Sequence, residues 1–452
     1  MVRLAVPVVT IQVGMMLMGV VDTVMVGHLS AVALATAALG HLYFFGVAVF
    51  AMGTLMVLDP VVAQAVGARD EVGITRGIQR GLLLGAILAI PSCIVLLIAR
   101  PLLALADQPA EVVPLAAKYI LALTPGVLPF FLFIVLRQSL QALKRTRPIV
   151  TAIVAANLTN ALLNWVLIYG HGAPAMGVLG SAWATSISRW VLLLMLTGLA
   201  WTELRPRLVR TTPEVMQLAP LGRMLRLGLP IGLQYVLEFG AFAFVALMMG
   251  WLGTRQMAGH QVAINLASLT FMVPLGVGDA ASVLVGHAVG RGDPDAARGS
   301  ARAALACGAA FMCGTGVVFL AIPHALAGLY SGDAAVVAVA ATLVRLAGVF
   351  QVFDGLQVVA GGILRGMGQT RVPMVVNALG YWLLGLPVSW LLGFRAGWGP
   401  VGLWWGLVVG LAVVATVLLT RVRLALARQP DRVVIESAAP AAWSATPAAA
   451  PE

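Results

Sequence analysis

Charged residues are scarce in this sequence. Only 10% of its 452 residues are Asp, Glu, Lys or Arg, whereas soluble domains carry about a quarter. Hydrophobic residues make up 61% of the chain, and its mean hydropathy is +0.98. Long apolar runs with so little charge exclude a water-soluble globular enzyme, and they indicate a chain that crosses a membrane many times.

Cysteine and histidine are scarce as well. The three cysteines, Cys93, Cys307 and Cys313, all lie in apolar runs, which favours small buried hydrophobes over a disulfide framework. The six histidines show no metal-ligand spacing. His41 and His260 lie within apolar segments, where they either pack with a hydrogen-bond partner or face a cavity. Neither residue type points to a metal enzyme or a disulfide-rich secreted domain.

Acidic residues are fewer than basic ones, 17 against 28, which gives a net charge of +11. In a soluble protein this excess would suggest nucleic acid. Here the basic residues fall in alternate loops between apolar segments, as at "KRTR" (144–147). The positive-inside rule then predicts that both termini are cytoplasmic and that the number of spans is even. We expect a multi-pass protein of a bacterial inner (plasma) membrane with no nucleic-acid partner.

Twelve apolar segments are long enough to span a bilayer. The segment at the start has about 18 apolar residues and no clear cleavage site, so it is predicted to be a retained span rather than a signal peptide. The fold class is therefore predicted to be all-α integral membrane, with twelve transmembrane helices. The segments are 4–26, 32–66, 80–104, 113–140, 148–169, 176–202, 227–252, 256–289, 302–329, 336–364, 373–394 and 399–420.

The two halves of the chain resemble each other. "RLAVPVV" (3–9) returns as "RLGLPIG" (226–232), and "VAQAVGARD" (62–70) returns as "VGHAVGRGD" (285–293), both 223 residues later. Six spans per half keep the repeat in one orientation, and parallel repeats with a site between them are a transporter architecture. We predict two pseudo-symmetric lobes, with the boundaries 1–202 (N-lobe), 203–225 (cytoplasmic inter-lobe loop), 226–427 (C-lobe) and 428–452 (disordered cytoplasmic tail).

Five acidic residues lie inside the apolar segments. An ionised carboxylate at the bilayer centre costs about 2.5–3.5 kcal/mol on insertion scales, so such residues are candidates for function. Each could exchange a proton, ligate Na⁺ or pair with a cationic substrate. Near a segment's end, the alternative is a carboxylate that reaches water, and this alternative is strongest for Asp59 and Asp279. The five are Asp22, Asp59, Glu238, Asp279 and Asp354.

Four stretches carry a family resemblance. "VVDTVMVGHLS" (20–30), "DPVVAQAVGARD" (59–70), "LTNALLNWVLIYG" (158–170) and "LRGMGQTRVP" (364–373) resemble the first, second, fifth and tenth helices of the multidrug and toxic compound extrusion (MATE) transporters. The match runs over essentially all of residues 3–425. The resemblance implies two six-helix lobes, a V-shaped central cavity, and drug export by cation antiport.

The resemblance also implies roles for individual residues. Glu238 in "QYVLEFGAF" and Asp354 in "QVFDGLQ" match the paired C-lobe acids of the NorM-type branch, where they form the cation site. They would be metal ligands only if the coupling ion is Na⁺. Asp22 matches an N-lobe acid used in proton coupling, and Asn160 and Asn164 match two asparagines near it. Because these asparagines are four residues apart on one helix face, both could hydrogen-bond to Asp22, or they could simply join helices.

This sequence departs from the family pattern in places. Phe350 stands where many NorM-type proteins have a tyrosine that helps to ligate the cation, which favours H⁺ over Na⁺. Asp279 replaces a small or hydroxylated residue and could add a further proton or cation contact. Gln234 is a secondary candidate together with Asp59, Asp279 and Phe350. The chain also begins almost at its first helix, without the family's usual short lead, which suggests a start further upstream.

The sequence thus predicts a secondary-active exporter of organic, often cationic, amphiphiles by antiport with H⁺ or Na⁺. We expect it to be a monomer in contact with membrane lipid, with no cofactor beyond the coupling ion. A flippase of lipid-linked precursors is the alternative within the same superfamily, and it would favour a more cationic cavity. A channel is disfavoured by the two-lobe repeat. A membrane enzyme would need a polar catalytic cluster at one interface, and the sequence has none.

Overall fold

The computed structural model describes residues 1–105, 112–209, 213–428 and 430–435. Within these ranges, twelve helices are long and apolar enough to cross a membrane, which confirms the predicted fold class. Numbered α1–α12, they are Val2–Gly27, Ala31–Gly67, Glu71–Leu97, Val113–Ala142, Arg147–Tyr169, Val178–Leu199, Leu218–Leu252, Thr254–Arg291, Pro294–Ala321, Ala334–Gly366, Arg371–Arg395 and Gly399–Ala427.

Short elements connect or interrupt these spans. Three further α-helices and one 3₁₀ turn lie in the connections, at Ala99–Leu105, Trp201–Leu208, Pro323–Gly328 and Pro213–Met216. In α4, a 3₁₀ turn contains Pro125, and α2 is interrupted just before Pro60, since proline has no amide to donate to the helix. Pro91 and Pro274, by contrast, lie within uninterrupted helices.

Three spans, α3, α7 and α9, begin well before the apolar runs that predict them. The α3 and α9 helices start eight or nine residues earlier than the predicted 80 and 302. Both begin at an aspartate cap: the Asp70 carboxylate accepts from the Gly73 amide at 2.8 Å, and the Asp293 carboxylate accepts from the Ala296 amide at 2.9 Å. Such caps satisfy free amides at a helix start, so the helix extends through polar residues outside the apolar run.

Equivalent positions of the repeat adopt the same backbone turns. Arg69 and Gly292, 223 residues apart, both have positive φ, 57° and 68°, and each precedes one of the capping aspartates. Lys144 and Gly368 likewise share φ values of 57° and 77° at the matching turns of "KRTRP" and "GQTRVP". The sequence repeat therefore corresponds to a structural repeat, with α1–α6 forming the N-lobe and α7–α12 forming the C-lobe.

Each lobe has its own apolar core. One cluster fills the N-lobe, and two clusters fill the C-lobe. The first turns of α1 are an exception, because Leu4, Ala5 and Val8 pack into a C-lobe cluster that includes Val277 and Ala281. The N-terminal end of α1 therefore joins the two lobes.

The lobes meet most closely where α2 ends against α8. A Cβ atom on Gly67 would lie 2.2 Å from the His287 carbonyl oxygen, and one on Gly290 would lie 2.0 Å from the Gln64 carbonyl oxygen. Positions 67 and 290 are related by the 223-residue repeat, as are 64 and 287. The contact is therefore pseudo-symmetric, and only glycine permits it.

A second glycine pair repeats this arrangement further into the interface. A Cβ on Gly53 would lie 2.8 Å from the Gly232 Cα, and a Cβ on Gly276 would lie 2.9 Å from the Val9 Cα. These positions are again related by 223 residues.

We call the end of the bundle where α2 leads into α3, and where basic residues are frequent, the basic end. Both glycine contacts lie on its side of the lobe interface.

The chain after α12 returns across the basic end. Arg432 forms an ion pair with Asp70 at 2.5 Å, and the Val433 amide donates to Gln64 Oε1 at 2.7 Å. Arg223 Nε donates to the Ile435 carbonyl at 2.7 Å. Residues 430–435 of the predicted disordered tail therefore contact both lobes. Residues 429 and 436–452 lie outside the described residues.

Substituting Gly290 tests the close contact between lobes. We expect Gly290→Ala to lower the thermal unfolding temperature in detergent, because the new methyl group overlaps the Gln64 carbonyl and overpacking costs about 1–3 kcal/mol. Gly299→Ala is the matched control, since Gly299 lies in helix α9 with nothing within 4 Å of its added Cβ. If both variants unfold at the same temperature, the contact does not constrain the interface.

Candidate functional site: a central cavity with three polar clusters

A cavity of about 920 Å³ lies between the lobes. Its wall is mainly apolar, with many aromatic and methionine side chains from both lobes. The sequence candidates Asp22, Gln234, Glu238 and Asp354 reach this wall together with Phe350. The aromatic and sulfur-containing residues of the wall include Met15, Met16, Met18, Phe44, Phe45, Met52, Phe130, Phe239, Phe242, Phe271 and Met272.

The first polar cluster surrounds Asp22 in the N-lobe. Asn164 Nδ2 donates to Asp22 Oδ1 at 2.6 Å, and Thr185 Oγ1 donates to Asp22 Oδ2 at 2.6 Å. Asn160 reaches Asp22 only through Asn164, because the Asn160 Oδ1 accepts from Asn164 Nδ2 at 3.2 Å. The predicted proximity of the two asparagines to Asp22 is thus seen, although only Asn164 bonds to the carboxylate directly. Asp22 is 1% exposed.

Further residues from α2, α4 and α6 complete this cluster. His41 Nε2 lies 3.7 Å from Asp22 Oδ2 and 2.9 Å from the Tyr119 hydroxyl. The Arg189 guanidinium stacks over the Phe44 ring at 4.0 Å. The sequence pattern left His41 open between packing and the cavity, and the structure places it on the cavity wall. His260 instead packs in the C-lobe, where Trp404 Nε1 donates to its Nδ1 at 3.2 Å.

The second cluster joins Glu238 and Asp354 in the C-lobe. Gln357 Nε2 donates to Glu238 Oε1 at 3.1 Å and to Asp354 Oδ1 at 3.5 Å. A single amide therefore bridges two carboxylates that are 116 positions apart in the chain. Gln234, one turn before Glu238, lines the cavity beside them.

Aromatic residues enclose the second cluster. Phe350 is buried, and its ring packs against Trp404 and Phe242 with centroid distances of 5.6 and 6.0 Å. It therefore provides packing where the family resemblance places an oxygen ligand. The Tyr381 ring packs against Phe242 with a centroid distance of 6.0 Å, and its hydroxyl interacts electrostatically with the two acids. This hydroxyl and Gln357 Oε1 are buried without a hydrogen-bond partner among the described residues, which leaves two oxygen atoms available next to the carboxylates.

The third cluster connects the lobes below the cavity, towards the basic end, and we call it the floor network. Arg365 of the C-lobe pairs with Asp59 of the N-lobe at 3.0 Å (Nε to Oδ2) and with Asp279 at 2.7 Å (Nη2 to Oδ1). Gln12 Nε2 donates to Asp279 Oδ2 at 3.0 Å, and Arg137 Nη1 donates to Gln12 Oε1 at 3.1 Å.

The floor network balances its own charge. Two aspartates and two arginines, all buried, carry no net charge when ionised. Asp59 and Asp279 do not reach water at a segment end, the alternative that the sequence left open. They are held instead by a buried arginine, since a buried charge without a partner is costly.

Sequence reasoning found neither arginine of the floor network. The sequence analysis assigns basic residues to the loops, and Arg365 directly follows the predicted segment 336–364. That assignment is wrong for Arg365, because it is buried within α10 near the end of the helix. Arg137 lies inside the predicted segment 113–140, and a lone arginine in an apolar run is the same signal that singled out the acids. The pairing itself depends on how the lobes pack and has no signature in the sequence.

Twelve apolar helices in two lobes around a central cavity define a two-lobed membrane transporter. The sequence model of the family described as MatE matches residues 7–166 and 230–391. The chain therefore belongs to this family, and the resemblance carried by its motifs is confirmed.

Curated relatives and solved structures agree with this assignment. The chain is 38% identical over 429 residues to "Multidrug resistance protein NorM" of Burkholderia vietnamiensis, covering 93% of both chains. It is 38% identical to a probable NorM protein of Pseudomonas putida, covering 92% of both. A crystal structure of the eukaryotic MATE transporter AtDTX14 matches with a TM-score of 0.86 and 25% identity, covering 93% of this chain and 94% of that one.

The charge balance of the floor network can be tested by removing one acid. We expect Asp279→Asn to lower stability markedly, because leaving a buried charge uncompensated costs about 3–5 kcal/mol. Adding Arg137→Gln restores neutrality and should recover part of the loss. Thermal unfolding in detergent measures both effects.

The control for this experiment is Asp295→Asn, which breaks an exposed ion pair with Arg298. Exposed pairs contribute about 0–1 kcal/mol, so this variant should unfold close to the wild type. A double variant no more stable than Asp279→Asn would contradict the charge-balance explanation.

Proposed function

We propose that this protein exports organic, often cationic, amphiphiles by antiport with H⁺. The observation that carries the proposal is the cavity itself, which combines an aromatic and methionine-rich wall with acids from both lobes. Aromatic faces attract cations, and methionine adapts to ligands of different shape. The multidrug resistance names of the NorM relatives support the same function.

The charges of the cavity wall support a cationic substrate. Three acids, Asp22, Glu238 and Asp354, line the cavity, as do three arginines. Arg137 and Arg365 belong to the floor network and are balanced there by Asp59 and Asp279. With Arg189 as the remaining arginine, the ionised wall has an excess of negative charge. This excess opposes the anionic substrate of a lipid-precursor flippase.

Alternating access of the two lobes would carry substrate across the membrane. If the basic end is cytoplasmic, as the positive-inside rule predicts, the structure corresponds to a state whose cytoplasmic side is closed by the glycine contacts and the floor network. A coupling ion can shift such an equilibrium only through its different affinity for the two states. Each entering charge gains about 2.3 kcal/mol per 100 mV of membrane potential.

The C-lobe acids are candidates for holding the coupling ion. Glu238 and Asp354 share one amide bridge, and two neighbouring carboxylates in a poorly hydrated site do not both ionise cheaply. Such a pair can hold one proton, or one Na⁺ with help from the free oxygens of Gln357 and Tyr381. Because Phe350 offers no oxygen, we propose H⁺ as the coupling ion.

Transport in proteoliposomes tests the coupling. With a fluorescent organic cation, we expect a proton gradient alone to drive efflux and a Na⁺ gradient alone to drive none. Asp22→Asn should abolish the driven efflux while leaving folding intact, and exposed Asp295→Asn is the matched control. Efflux that requires Na⁺ and ignores pH would contradict proton coupling. A fully active Asp22→Asn would remove Asp22 from the mechanism.

A double-mutant cycle tests whether the C-lobe acids act together. We expect Glu238→Gln and Asp354→Asn each to reduce the initial efflux rate nearly as much as the double variant, because removing either acid destroys the shared site. Independent sites would give multiplicative losses instead. Rates are corrected for the amount of reconstituted protein. Wild-type rates in both single variants would show that the pair is structural.

A further inference from the structure

His41 is the least buried member of the Asp22 cluster. Its side chain is 29% exposed, whereas that of Asp22 is 1% exposed, and both residues contribute to the cavity wall. A proton that enters from cavity water therefore meets the imidazole before it meets the carboxylate. Histidine is also the side chain whose ordinary titration, near pH 6.5, falls within the physiological range.

The surroundings of the ring suit both of its protonation states. Tyr119 lies 2.9 Å from His41 Nε2, and a hydroxyl can donate to a neutral nitrogen or accept from an N–H. The other nitrogen, Nδ1, has no hydrogen bond to any residue of the described ranges, so no protein contact prevents it from accepting a proton. The contact with Tyr119 therefore does not restrict His41 to one protonation state.

Asp22 is arranged to accept hydrogen bonds. Its two oxygens accept from Asn164 and Thr185, both of which are neutral. The titratable and charged groups near the His41 ring are Asp22 from α1, Tyr119 from α4 and Arg189 from α6. The Arg189 guanidinium is stacked over Phe44 and Phe130 at 4.0 and 5.0 Å. Of the two basic groups, His41 is the one within 4.0 Å of the Asp22 carboxylate.

We propose that His41 is the proton-carrying partner of Asp22. In the tautomer with its proton on Nε2, the ring accepts a proton at Nδ1 from a hydronium ion in the cavity. One O–H bond breaks, one N–H bond forms, and the imidazolium, whose Nε2–H donates to the Tyr119 hydroxyl at 2.9 Å, forms an ion pair with the Asp22 carboxylate 3.7 Å away. The pair is then neutral, so it no longer attracts a cationic substrate. Loss of the proton restores the net negative charge of the pair.

This inference rests on the proton antiport proposed above. It adds a histidine titration to the transport cycle, and a purely structural role for His41 would not produce one. Wild-type efflux of a fluorescent cation, measured at a fixed membrane potential with equal pH on both sides, should change on the order of tenfold between about pH 5.5 and 7.5. In His41→Gln, the change over that range should be clearly smaller than in the wild type, because glutamine does not titrate and only the cavity acids then respond to pH.

A matched control is available in the C-lobe. His260 also lies within a span, but it is 2% exposed and bonded to Trp404. We expect His260→Gln to keep the wild-type pH profile. Tyr119→Phe provides a second, independent test, because it retains the imidazole and removes only the hydroxyl that contacts Nε2. This variant should keep the pH step but move its midpoint to lower pH by about half a unit or more, because the hydroxyl accepts more strongly from the imidazolium than from the neutral ring.

The outcomes separate this inference from the proposed function. If the wild type is driven by a proton gradient and His41→Gln keeps the full pH step, the role of His41 is overturned while proton antiport stands. If the wild type responds only to Na⁺, proton antiport fails and the inference fails with it. Should His41→Gln not fold, an unshifted pH midpoint in Tyr119→Phe would overturn the inference.

Discussion

The buried charge network between the lobes is the constraint on which the rest of the molecule depends. Arg365 holds an acid from each lobe, Asp59 and Asp279, in a position where an unpaired charge would be strongly unfavourable. The network thereby fixes how the lobes meet at the basic end and where the cavity stops. Each lobe also contributes one acid and one arginine, with Asp59 and Arg137 in the N-lobe. If the lobes separated, each would keep one acid and one arginine and would remain neutral. The contact at the basic end can therefore be strong and still reversible.

The internal repeat explains the scaffold, whereas the charged groups break its symmetry. Helix caps, the left-handed turn at Arg69 and Gly292, and the glycine contacts recur at the 223-residue offset. The functional candidates do not, because the position equivalent to Asp22 is Val245 and the position equivalent to Glu238 is Met15. The two lobes therefore share one architecture and carry different sites: a single carboxylate held by neutral donors in the N-lobe, and a bridged pair in the C-lobe.

The sequence predicted those features that have a local signal. Apolar runs marked the twelve spans, and the repeat marked the lobes. Rare acids marked three residues that reach the cavity and two that belong to the floor network. Sequence reasoning failed where geometry depends on packing. It placed Arg365 in a loop because the residue follows an apolar run, although α10 continues through it. It placed the start of α3 too late because a cap, rather than hydropathy, sets the helix start. The bridge of Gln357 between Glu238 and Asp354 depends on how α7 meets α10, which no local pattern encodes.

The buried charges of the floor network are paired, whereas those of the cavity wall are not fully paired. This difference affects how transport could be driven. The floor network carries no net charge, so displacing it as a unit moves no net charge through the membrane field. In the proposed antiport, the membrane potential and the proton gradient therefore act through groups whose charge is not already cancelled. In this structure those groups are the cavity acids Asp22, Glu238 and Asp354, with His41 and Arg189 beside the first. In the proposed mechanism, the floor network sets the free energy needed to open the basic end. The occupancy of the cavity acids determines when that free energy is supplied.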